Sequence, residues 1–156
     1  GIVTNDRGVT VWLKGNRVSR NQIMAIKEES VTEQKNSLAV CLDNILRHAG
    51  ITRNTEYDLA QGKTATTILS ENMTGVQVLD LSGCTLDAVL YYVNQDIPVL
   101  AILEDGEAVL VTGFNEFNVV IMEPATGKLY KKGMNDATAW FAENGNHFIT
   151  YMRTEN

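Results

Sequence analysis

Apolar positions between residues 36 and 50 recur at helical spacing. In NSLAVCLDNILRHAG, Leu38, Cys41, Leu42, Ile45, Leu46 and Ala49 follow the i, i+3, i+4 pattern of one helix face. Residues 38–41 are apolar all round, which predicts a buried, central helix rather than a surface one. Asn36 or Ser37 supplies a side-chain oxygen to cap its start, and Gly50 stops it, so the predicted helix covers residues 36–49. Two shorter helices follow in NTEYDLAQG and TATTILSEN, separated at Gly62. TLDAVLYYVNQ predicts another, with Thr85 as cap and Asp87 at the positive end of the helix dipole. NDATAWFAENG predicts the last, with Asn135 as cap and Gly145 past its end.

The extended runs sit elsewhere. VTVWLK and RVSRNQI flank Gly15-Asn16, a tight-turn signal, so residues 9–23 read as an N-terminal β-hairpin. GVQVLDLSG reads as one strand. After Ile97 come four strand-like runs, residues 98–103, 107–112, 118–123 and 128–132, and HFITYM reads as a final strand. Helices first and hairpin-like strands afterwards is an α+β pattern, with a central helix packed on a twisted antiparallel β-sheet built from the strands after Ile97. The polar stretch KEESVTEQK divides residues 1–31, hairpin and connector, from residues 32–156, within a single globular unit.

Composition narrows the function. The chain has 156 residues, 44% hydrophobic and 21% charged, as expected of one ordinary globular domain. Its net charge of −6, with no basic cluster, argues against nucleic acid and against an anionic membrane surface. No apolar run approaches the roughly 18 residues that span a bilayer, and no signal peptide is visible. The polar opening GIVTNDRG, without an initiating Met, is expected of a piece of a longer protein. Two cysteines, Cys41 and Cys84, are too few for a disulfide framework, and no Cys/His spacing suggests zinc, so no metal or other cofactor is expected. Whether the two are bridged stays open.

Four motifs, in order, resemble one family. NSLAVCLDNILRHAG is similar to the helix that opens the papain-like domain of the bacteriocin-leader peptidases, family 39 of the cysteine peptidases. TLDAVLYYVNQDIPVLAIL resembles that family's next helix and its x-Pro-Val-Ile. GEAVLVTGF resembles its Gly-His-x-Val-x-Val-x-Gly-Tyr strand, and VVIMEPATGK its x-Val-x-Asp-Pro-x-x-Gly. The resemblance covers residues 32–152. It implies a papain-like fold in which a thiolate at the start of the central helix attacks a peptide carbonyl. A histidine on the facing sheet activates the thiol, a carboxylate orients the histidine, and an upstream glutamine binds the oxyanion.

Carried over residue by residue, Ser37 stands at the nucleophile position, in the register set by Leu46-Arg47 and Gly50, and Leu38 replaces the following glycine. Glu107 stands where the base would be and Glu123 where the orienting acid would be, with Gln34 near the oxyanion glutamine. Nucleophile, base and orienter are all changed. Cys41 does not rescue the chemistry, since it lies one turn inside the helix. His48 is seven residues further on, about 10 Å along the axis, and a nucleophile and its base must approach to about 3 Å. These residues read as a core thiol and a helix-end histidine, and His147 as a residue of the terminal strand. Ser37 with Glu107 pairs a weak nucleophile with a weak base. Glu107 beside Glu123 leaves open paired-carboxylate chemistry, as on a glycan.

The resulting expectation is a catalytically inactive, peptidase-like module that binds a peptide or protein segment, or scaffolds a larger exported protein. Its cleft would be formed by Gln34, Asn36, Ser37, Glu107 and Glu123, with a negative charge that favours basic or N-terminal segments. The alternatives are an active papain-like hydrolase using Ser37 or Cys41, and a purely structural domain. The resemblance implies an extracellular or cell-surface setting of the Gram-positive type.

Overall fold

A computed structural model describes residues 22–23 and 36–154 of the chain. The elements are β1 (Gln22–Ile23), α1 (Ser37–His48), α2 (Thr55–Ala60), α3 (Ala65–Asn72), β2 (Val76–Asp80) and α4 (Leu86–Val93). They continue with β3 (Val99–Ile102), β4 (Ala108–Phe114), β5 (Asn118–Glu123), β6 (Lys128–Gly133), α5 (Met134–Glu143) and β7 (Phe148–Arg153). The predicted hairpin over residues 9–23, the connector and the division at residue 31 lie outside the described residues, apart from β1 itself.

Local chemistry sets the helix starts. Asn36 Oδ1 accepts hydrogen bonds from the N–H groups of Leu38 at 2.8 Å and Ala39 at 3.3 Å, taking up two donors that the first turn of α1 leaves free. Thr85 Oγ1 accepts from Ala88 N–H in the same way at α4. The expected cap at Asn135 is incorrect. Gly133 occupies the N-cap of α5 without a side-chain bond, because the Met134 N–H is already satisfied by the Phe117 carbonyl at 2.8 Å and the helix starts directly off β6.

The sheet runs β2-β7-β3-β4-β5-β6, antiparallel at every pairing. β2 was expected as a strand, but it also joins this sheet, through β7, with Val78 opposite Tyr151. The sheet is therefore wider than the strands after Ile97. β1 pairs Gln22 with Phe114 and Ile23 with Gly113. It continues the edge of β4 that β3 covers only as far as Val111.

Both faces of this sheet are covered. Ala108, Val109, Leu110, Val111 and Thr112 are all buried, although successive side chains of a strand point to opposite faces. Phe141 of α5 meets Phe148 at a ring separation of 5.3 Å, which places α5 on the face of Phe148. Tyr151, of opposite parity on the same strand, shares a cavity wall with His48 and Ala49, so α1 covers the other face. Cys41, Leu42, Ile45 and Leu46 are sealed into that layer. Removing such aliphatic side chains from water contributes about 1.5–3 kcal/mol each.

Trp140 is half-buried, with Lys132 Nζ 4.8 Å from its ring centroid, while Phe141 alone is fully in the core. Tyr91 is exposed and Tyr92 packs against the core. His147 precedes β7 rather than lying in it. Cys41 and Cys84 are both free thiols.

Candidate functional site

The cap at Asn36 orients the first turn of α1 so that Ser37 faces the start of β4. Ser37 Oγ accepts the backbone N–H of Ala108 at 2.9 Å. The β4–β5 ladder is recorded only as far as Leu110 opposite Met122. Ala108 lies beyond that last pair, so its amide takes an acceptor from the helix instead. This one bond ties the N-terminus of α1 to the residue next to Glu107.

Glu107 itself is not a strand residue, as the sequence pattern had suggested. A turn precedes β4: Gly106 N–H donates to the Leu103 carbonyl at 2.9 Å, and Leu103 N–H to the Glu107 carbonyl at 2.7 Å. Gly106 adopts φ +88, which favours glycine, and the Asp105 carboxylate accepts the Glu107 N–H. The Glu107 side chain is exposed and has no hydrogen bond or ion pair among the described residues. Glu123 ends β5, half-buried, and its Oε1 accepts from Ala125 N–H at 3.1 Å. No hydrogen bond joins the two carboxylates. Gln34 lies outside the described residues, and Asn36 is spent as the helix cap.

The thiol is sealed in the core one turn inside α1, and the imidazoles sit away from this point. Burial pushes the Cys41 thiol well above the ordinary range, and the nearby Glu123 carboxylate pushes it the same way. A base or a helix dipole would have to do the reverse to make a nucleophile. His48 stands at the opposite end of α1 from Ser37, about 16 Å along the axis, with Nε2 3.2 Å from the Asp96 carbonyl. His147 lies two strands across the sheet from β4: its carbonyl accepts from Ile102 N–H, and Ile102 pairs with Ala108. At about 4.8 Å per strand this is out of reach of Ser37. Among the described residues no group of three or more His, Cys, Asp or Glu side chains is arranged to hold a metal. No helix among them is long and apolar enough to cross a membrane.

Sequence reading missed the Ser37–Ala108 bond, which spans 71 positions in the chain. The available signal was the proline after Glu123, which cannot donate to a sheet ladder and marks where β5 has to stop.

No family model matches the chain, and no curated protein matches it. Among solved structures, it superimposes on a crystal structure from Bacillus anthracis that carries the provisional description of a C39-like peptidase. The TM-score is 0.69 at 12% sequence identity, over 86% of this chain and 98% of that one. The chain therefore has the α+β fold of a C39-like, papain-type peptidase.

Proposed function

We propose that the domain is a catalytically inactive member of this fold that binds a peptide or protein segment as a module of a larger exported protein. The observation that carries the reading is the bond from Ala108 N–H to Ser37 Oγ. The oxygen at the nucleophile position is engaged by the backbone of the very strand that, in the resembling family, presents the base. Glu107, at the base position, makes no hydrogen bond to Ser37, and both histidines are remote from it. The buried Cys41 thiol stays protonated and unreactive on this reading. The acidic residues of the expected cleft, Glu107 and Glu123, favour a basic segment or a free N-terminus.

The test is cleavage of a diverse peptide library by the purified domain, with Cys41→Ala and Ser37→Ala as controls. The expected result is no turnover above buffer, and a turnover abolished by either substitution overturns the reading. A second arm restores the family residues with Ser37→Cys, Leu38→Gly, Glu107→His and Glu123→Asp together. The new thiol should titrate below the free value of about 8.5, because a histidine and the helix dipole both favour the thiolate. A thiol that titrates at the free value means these four positions do not form one site.

A further inference from the structure

An open cavity of about 630 Å³ lies at the far end of α1 from Ser37, within the size range of small-molecule sites. Its wall is assembled from segments distant in sequence: His48 from the end of α1, Asp96 from the turn before β3, and Tyr151 and Arg153 from β7. Its apolar floor includes Ile51 and Met73.

Three features make this a built site. First, Tyr151 is 2% exposed, yet its hydroxyl has no hydrogen bond among the described residues. Burial raises its phenol, and Arg153 and Asp96, which line the same cavity, act on it in opposite senses. Second, Arg153 stands at the exposed rim. Its Nη1 donates to the Gln95 carbonyl at 3.2 Å, and its Nε and Nη2 groups have no partner among the described residues. Third, the acidic group of the wall, the Asp96 carboxylate, is largely exposed to solvent, with His48 at its edge. His48 Nε2 lies 3.2 Å from the Asp96 carbonyl and 3.5 Å from its Oδ2, with Asp96 held at φ +67. Arg153 and Tyr151, two residues apart on β7, offer a ligand a guanidinium and a phenolic donor beside the apolar Ile51 and Met73.

We propose that this cavity binds a carboxylate carried on a small aliphatic body, the carboxylate meeting Arg153 and the Tyr151 hydroxyl and the body resting on Ile51 and Met73. Two sources share that chemistry: a free short-chain acid, and the C-terminal residue of a peptide. A guanidinium is suited to either, since its fork matches a carboxylate in two parallel bonds.

The experiment is a titration of the full chain, labelled with nitrogen-15 and followed by amide NMR shifts. The probes are isovalerate, N-acetyl-leucine and N-acetyl-leucinamide. The two carboxylates should shift the amides of residues 74–76 and 151–153 saturably. The uncharged amide should bind at least tenfold more weakly, as should N-acetyl-leucine to Arg153→Gln. Tyr151→Phe, which keeps the ring and the packing, should weaken binding several-fold. Tighter binding of isovalerate identifies a free acid as the ligand, and tighter binding of N-acetyl-leucine a peptide terminus. Either ranking supports the site. The absence of saturable shifts, equal binding of the uncharged amide, or shifts centred on Ser37 and Ala108 overturns it.

Discussion

Replacing Ser37 with alanine removes the one acceptor that the Ala108 amide has among the described residues. Ala108 is 1% exposed, so water cannot readily take over that role. A buried N–H left without a partner costs about 1–3 kcal/mol. Alanine returns at most about 0.5 kcal/mol through its better helix propensity. The net loss should be about 1–2 kcal/mol, which at an m-value near 2 kcal/mol/M lowers the urea midpoint by about 0.5–1 M. The slope should not change, because the surface exposed on unfolding is the same. Ser37→Thr keeps the oxygen and should restore most of the loss. Hydrogen exchange supplies the local readout: the Ala108 amide should lose protection in Ser37→Ala more than its neighbours in β4 do. A midpoint unchanged within error, together with undiminished protection at Ala108, would refute the reasoning, because the helix and the strand would then not be joined through this oxygen.

Three further outcomes follow from the same packing. A thiol reagent should label Cys84, which is half-buried, well before Cys41, because Cys41 is sealed in the core and burial keeps its thiol protonated; equal rates in folded protein would contradict this. Asn36→Ala should cost about 1 kcal/mol in thermal or urea unfolding through loss of the α1 cap, and an unchanged midpoint would mean the cap is dispensable. Arg53 donates through Nε and Nη2 to both oxygens of Asp58, and this bond holds the Asp58 carboxyl below the usual range. The folded value is lower than the unfolded one, so the stabilisation is full above the unfolded pKa of about 4 and is lost as pH falls through the folded value. Arg53→Gln should therefore lower stability at neutral pH and flatten its decline towards acid; an identical pH profile would show that the pair contributes nothing.

The elements were legible where their cause is local. Asn36, Thr85 and Gly50 mark helix ends through side-chain oxygens and backbone freedom, and the spacing of Leu38, Cys41, Leu42 and Ile45 marks the buried face of α1. Non-local causes left no such trace. The start of α5 depends on a bond from Met134 to Phe117, so the favourable capping residue Asn135 pointed to the wrong position. Periodicity alone extended β4 back to Glu107, because alternation does not register the turn closed by Leu103 and Gly106. At the candidate site, the motif order identified Ser37 as the residue at the helix start, but not what its oxygen binds. The cavity beside His48 was invisible for the same reason: its wall joins segments far apart in sequence, around His48, Met73, Asp96 and Tyr151, and none of them forms a motif with its sequence neighbours.

The position of β7 has a consequence for how the protein is made. This strand is the last in the described chain, yet it lies inside the sheet, between β2 and β3. Until it is in place, β2 has no partner strand and the β3 edge lies open. A ribosome-bound chain therefore cannot complete the sheet until Arg153 has left the exit tunnel. Up to that moment it presents unpaired edges of the kind that invite association with other nascent chains. The order of synthesis and the order of the sheet run against each other, and the sheet cannot close before β7 has been made.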